Sequence, residues 1–120
     1  MFKFAIPVLH VSSSRTAEEF FRKLGFQQEF AMRLDASRAD PCYMGFRRDG
    51  AVLHVSSFSG DGVSGGIAYV AVDDVDELHR ELIAKGVPID TGPIDQSWGN
   101  REMYVKDADR NSIRFTQERD

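Results

Sequence analysis

The sequence repeats itself, and that constrains the fold more than any local propensity, since two similar stretches must fold to one kind of unit. Val11 to Gly25 and Val72 to Gly86 are both steps of 14 residues, offset from each other by 61. In each, a strand-like run ends at the valine, a polar cap follows, an amphipathic stretch runs, and glycine closes it. In the first copy Phe2 to Val11 reads as the strand, Ser13 or Ser14 as the cap, and Phe20, Phe21 and Leu24 as the apolar stripe. In the second, Ile67 to Val72 is the strand, Asp74 with Glu77 resembles a capping box, and Val75, Leu78 and Leu82 form the stripe.

Three extended segments follow each helix. After the first they are about Gln27 to Leu34, Cys42 to Arg47 and Ala51 to Phe58, with Asp49-Gly50 as a hairpin signal. After the second they are about Pro88 to Ile94, Arg101 to Lys106 and Ser112 to Gln117. The shared order is β-α-β-β-β, and the glycine- and serine-rich run from Ser59 to Gly66 separates the copies. The expectation is one domain over 1–120, with copies at about 1–58 and 66–118 and a linker at 59–65. One helix covers one face of a four-stranded sheet, so the other face must be buried elsewhere or line a ligand cavity. Two such sheets together make a cup.

Composition narrows the partners. Hydrophobic residues make up 42% of the 120 residues and charged residues 28%, enough for a core and unlike a disordered chain. The net charge of -4, with no polybasic run, speaks against nucleic acid and suits a cationic small molecule. Cys42 is the only cysteine, so no internal disulfide or cysteine metal cluster forms, and a reduced compartment is the simplest setting. No apolar run approaches the roughly 20 residues of a membrane span, and the N-terminus lacks a basic segment followed by an apolar stretch. A cytoplasmic protein is expected.

The duplicated unit resembles the vicinal oxygen chelate superfamily, which includes glyoxalase I, extradiol dioxygenases, and fosfomycin and bleomycin resistance proteins. Ala5 to Leu9, Leu24-Gly25-Phe26, Gln96 to Glu102 and Asp107 to Asn111 are similar to its bleomycin-binding branch, in the same order along essentially the whole chain. One departure is Arg110, where the family's Asp-Pro-x-Gly-Asn turn carries glycine. The resemblance implies an α+β fold of tandem βαβββ repeats forming a curved mixed sheet.

Enzymes of this superfamily hold a divalent metal through two ligands from each copy. The positions that the family pattern gives to histidine carry Ile6 and Ile67, and those it gives to carboxylates carry His54 and Arg114. Isoleucine and arginine do not coordinate cations, and one histidine falls short of the three or four N/O ligands such sites need. No metal or other cofactor is expected. Asp107, Asp109, Asn111 and Glu118 match calcium-loop positions 1, 3, 5 and 12, but Ser112 stands where that loop needs glycine, and an ordinary hairpin turn is the better reading. Gly-x-Ser-x-Gly and phosphate-loop motifs are absent from the sequence.

A cup without a catalyst can still bind, through rigid aromatic rings beside a few polar groups. In the resembling resistance proteins, planar bithiazole tails of bleomycin-type drugs stack on aromatic rings in clefts at a dimer interface. Carried over position by position, this implies Glu29, Phe30, Ser56, Tyr69, Trp98 and Gly99 as ligand-binding residues, with His54 and Arg101 beside them. Phe30, Tyr69 and Trp98 offer stacking surfaces, Glu29 an attraction for a cationic tail, Ser56 a hydroxyl, and Gly99 close approach to the backbone. Phe30 and Tyr69 are equally the residue types that fill a β core, and His54, Arg101 and Arg114 would instead suit an anionic or neutral ligand if they face the cup. Pro7 interrupts the first strand, and in similar resistance proteins that segment crosses to the other subunit, implying a homodimer with exchanged N-terminal strands. The function implied is metal-independent sequestration of a bleomycin-family or similar planar antibiotic. The alternative is a divergent lyase-, isomerase- or dioxygenase-like enzyme acting on a small metabolite, with His54 and Glu102 or Tyr104 as acid–base groups.

Overall fold

A computed structural model describes residues 1–119. The first unit runs β1 (Val8–His10), α1 (Ser14–Lys23), β2 (Gln27–Arg33), β3 (Cys42–Arg48) and β4 (Ala51–Ser56). The second runs β5 (Ile67–Ala71), α2 (Val75–Ala84), β6 (Thr91–Asp95), β7 (Arg101–Lys106) and β8 (Ser112–Gln117). Each unit forms a four-stranded mixed sheet with the same topology, β1-β4-β3-β2 and β5-β8-β7-β6. The opening strand of each is parallel to the last and the other pairs are antiparallel, so the α+β fold of the implied family is what the chain adopts.

Local sequence chemistry sets the helix starts. Ser13 caps α1 by accepting the Thr16 N–H at 3.3 Å, and Asp74 caps α2 by accepting the Glu77 N–H at 3.0 Å. The turn after α1 needs glycine twice over. Gly25 has φ +86°, and the Arg48 guanidinium passes so close that a Cβ there would collide with Nη1.

Strand alternation then sorts the side chains. Met44, Phe46, Leu53 and Val55 point to α1 and pack with Phe21 and Leu24, while Met103, Val105, Ile113 and Phe115 pack with Val75, Leu78 and Leu82 of α2. Each large side chain so buried contributes roughly 1.5–3 kcal/mol. The opposite, helix-free faces carry Phe30, Tyr43, Gly45 and His54 in the first sheet and Tyr69, Glu102, Tyr104 and Arg114 in the second.

Two clasps join the units. Asn111, with no exposed surface, accepts the Gly66 N–H at 2.8 Å and donates to the His10 carbonyl at 2.8 Å and to Asp107 at 2.9 Å. Arg48 donates to the Leu24 carbonyl at the end of α1 and makes a two-armed pair with Glu81 of α2, at 2.7 and 2.8 Å. The turn that holds Asn111 is an ordinary hairpin connection. Asp107 Oδ1 accepts the Asp109 and Asn111 amides, and Arg110 adopts φ +66° where glycine would sit without strain.

The strand expected from Phe2 to Val11 is confined to Val8–His10. Pro7 has no N–H to extend the ladder, although its carbonyl still accepts His54 N at 3.0 Å, and Phe2 and Phe4 remain 100% and 78% exposed. Two other boundaries differ. β4 ends at Ser56 because its hydroxyl accepts the Phe58 N–H and turns the chain. β6 begins at Thr91 rather than Pro88, and its register slips between Thr91 and Ile94, where Gly92 takes φ +83°. No described helix is long and apolar enough to cross a membrane.

Candidate functional site

On the first sheet an aromatic triad occupies the helix-free face. The register sets Phe30 opposite Gly45 and Gly45 opposite His54, so a residue without a side chain lies between two rings. Phe30 spreads across that gap, and a Cβ on Gly45 would collide with its ring. Phe30 stacks on Tyr43 with 6.2 Å between centroids and meets the His54 ring edge-on at 5.2 Å. The Tyr43 hydroxyl and His54 Nδ1 share a hydrogen bond of 2.8 Å that fixes both rings. Burial, with help from the Asp61 charge, raises the Tyr43 phenol above its ordinary value, so it stays a neutral hydrogen-bonding group at physiological pH. Glu29, at the bulge between Gln28 and Phe30, is bound by Arg47 at 3.1 Å.

On the second sheet the same face is polar. Glu102 is only 5% exposed and its oxygens accept from the Tyr104 hydroxyl at 2.6 Å, the Trp98 indole N–H at 3.0 Å and Gln96 at 3.4 Å. Burial alone would raise this carboxyl, but those three donors and the field of Arg114 outweigh it and hold Glu102 below its usual range. The same bond pushes the Tyr104 phenol up. Arg114 lies over the Tyr104 ring, its guanidinium carbon 4.7 Å from the centroid. In the adjacent strand, Tyr69 stands in register with Arg114 and donates to Glu118 at 2.7 Å, a bond that raises its phenol.

A groove of about 1020 Å³ runs between residues 4–7 and the edge formed by β5 and the start of α2. Glu29, His54 and Tyr69 line it together, with Phe30 packed on His54 beside them. Trp98 and Gly99 do not line this groove. Trp98 is held by Glu102 on the second sheet with 63% of its surface exposed, and Gly99 takes φ +104° in the turn beside it. The other two expected residues are engaged elsewhere. Ser56 has no exposed surface, and its hydroxyl donates to Asp61 at 2.7 Å. Arg101 pairs with Asp76 of α2 at 2.8 and 3.0 Å and with Asp95 at 3.2 Å, away from the helix-free face.

Sequence reading passed over Tyr43, although alternation with Gly45 puts both on the face that carries His54. It also passed over Gln96 as a partner of Glu102, a contact made by the turn that precedes β7 rather than by any periodic signal.

Paired βαβββ units, each with a helix on one face and an aromatic or polar open face on the other, define the fold class. A family model for glyoxalase superfamily proteins matches residues 1–120, and the chain belongs to that superfamily. A search of curated proteins finds no significant match. Among solved structures, a bleomycin-binding protein complexed with bleomycin is 22% identical, with a TM-score of 0.75 over 98% of this chain and 100% of that one. The bleomycin resistance determinant encoded on transposon Tn5 is also 22% identical, with a TM-score of 0.76 over 98% of each chain. A superfamily member from Sphaerobacter thermophilus is 23% identical, with a TM-score of 0.71 over 97% of this chain and 98% of that one. These likenesses establish the fold.

The superfamily's enzymes imply a divalent metal, and the donor set here does not fit one. Of Ile6, His54, Ile67 and Arg114, only His54 offers a lone pair, and its Nδ1 is bonded to Tyr43. Among the described residues no group of three or more His, Cys, Asp or Glu side chains is placed to hold a metal ion.

Proposed function

We propose that this protein binds and sequesters a planar small-molecule antibiotic of the bleomycin type, without a metal and without chemical turnover. The observation that carries the reading is the pair of open faces: a ring platform of Phe30, Tyr43 and His54 on one sheet, and Trp98 and Tyr69 projecting from the other. Flat heteroaromatic rings gain roughly 0.5–1.5 kcal/mol per stacked contact beyond the area they bury. Two structurally similar proteins are described as bleomycin-binding and bleomycin resistance proteins, which supports this choice of ligand class.

The catalytic alternative finds less support. Glu102 is held below and Tyr104 above its ordinary pKa, so neither is poised to exchange a proton near neutrality, and His54, the first acid–base candidate, has its Nδ1 tied to the Tyr43 hydroxyl.

The working unit in this reading is a cytoplasmic homodimer, with residues 1–120 of each copy acting as one domain. Phe2, Phe4, Met32, Leu34 and Ile67 are between 55% and 100% exposed, apolar surface open to a partner. An exchange of residues 1–7 between copies, and a second copy closing each open face, would bury it.

Trp98 is the only tryptophan, so its fluorescence reports the site directly. Titration with metal-free bleomycin is expected to give saturable quenching at one drug per subunit, from a species that sediments as a dimer. A response that needs added metal, or turnover of the drug, would refute the reading.

A further inference from the structure

Among the described residues Arg114 is the one arginine whose strand position faces the second sheet's open side, and its Nε is unsatisfied. Its Nε is buried without a hydrogen-bond partner, and among the described residues it forms no ion pair. Arg48 is claimed by Glu81, Arg101 by Asp76 and Asp95, and Arg47 by Glu29. Glu102, whose carboxylate shares the cluster, has both oxygens engaged by Tyr104, Gln96 and Trp98. A buried donor left unmatched costs free energy and is rare in native proteins. The guanidinium carbon sits over the Tyr104 ring, a contact that engages none of its N–H groups in a hydrogen bond. The result is a guanidinium whose N–H groups make no hydrogen bond among the described residues, held beside Tyr69 and within the cluster that holds Trp98.

The geometry points to a ligand that carries a carboxylate or comparable oxyanion on its planar ring system, received by Arg114 while the ring meets Trp98 or Tyr69. Planar two-oxygen groups match the arginine fork in a way that a point charge does not. The inference rests on the ring-binding reading above and adds a charge requirement that the acidic net charge of -4 does not suggest. Glu102 is an anion in the same cluster and Glu118 sits on Tyr69, so an oxyanion is favoured only where it bonds Arg114 directly, charges beyond a screening length of about 8 Å being damped.

The experiment compares two probes of one shape, quinoline-2-carboxylate and its neutral carboxamide, by Trp98 fluorescence and by the Arg114 Nε–Hε NMR signal. The signal is assigned by its absence in Arg114→Lys. The wild type is expected to prefer the carboxylate by about tenfold or more, with the Nε–Hε signal shifting on saturation. Arg114→Met is expected to erase the preference while still binding the carboxamide, and Arg114→Lys to restore part of it. Equal binding of both probes would overturn the oxyanion site and leave the ring-binding cup standing. A preference that persists in Arg114→Met, or a variant that changes only the dimerisation constant, would overturn it as well. If neither probe perturbs Trp98, the cup reading itself fails and the inference falls with it.

Discussion

Replacing Asn111 with alanine tests how the two units are held together. The side chain is fully buried and satisfies three groups: the Gly66 N–H, the His10 carbonyl and a carboxylate oxygen of Asp107. Gly66 and His10 are half-buried, so water recovers part of what they lose, and Asp107 keeps its two amide donors on the other oxygen. The low end of the 1–3 kcal/mol cost of an abandoned buried group therefore applies at each, giving about 3 kcal/mol in all. In a chain of this size that lowers Tm by about 10 °C.

Urea unfolding followed by circular dichroism, at one fixed protein concentration, measures the loss. Asn111→Asp is the informative companion. It keeps the shape and the acceptor for Gly66, but turns an oxygen toward the His10 carbonyl and a second carboxylate toward Asp107, which burial already pushes above the usual carboxylate range. It should destabilise at least as much as alanine at neutral pH. If Asn111→Ala stays within about 1 kcal/mol of the wild type, the clasp is not an energetic link between the units.

Two further outcomes follow from named contacts. Gly45→Ala drives a methyl group into the Phe30 ring and should weaken bleomycin binding by about tenfold, while costing little stability because Phe30, 42% exposed, has room to swing away; unchanged quenching of Trp98 would remove the triad from the site. The hydrogen bond from Arg48 holds Glu81 below its ordinary value of 4.5, so its contribution is present above that pH and is lost as pH falls through the depressed folded value. The pair is about one third exposed, and the advantage of wild type over Glu81→Gln should be about 1 kcal/mol at pH 7 and shrink as pH falls through the depressed folded value; a pH-independent difference would contradict the pairing.

The duplication was legible because it rests on local chemistry repeated twice. Ser13 and Asp74 cap where their side chains can reach the next turn, and the stripes at Phe21, Leu24, Leu78 and Leu82 face their sheets as helical spacing demands. The extent of the first strand was not, since a run from Phe2 to Val11 is apolar enough for a strand whether or not a neighbour is present to pair with it. Ser56 reads as an available hydroxyl until the linker folds back and Asp61 takes it, a contact set by tertiary approach. Arg101 was within reach of the sequence: in strand β7 it shares parity with Met103 and Val105, the helix-facing side, whereas Glu102 and Tyr104 alternate onto the open face. The same alternation places Arg114 opposite to Ile113 and Phe115. The Tyr43 and His54 bond needed the register of two strands, which no single-strand pattern contains.

Because Val8 pairs with His54 as Tyr69 pairs with Arg114, and Gly45 with His54 as Tyr104 with Arg114, the two open faces are built on one template and yet no longer carry the same chemistry. One copy kept a bare backbone position for an aromatic plate to slide over; the other filled it with a phenol that cradles a cation. One backbone template thus carries two different surfaces. Substitutions on either open face can change its chemistry while the scaffold beneath both stays untouched.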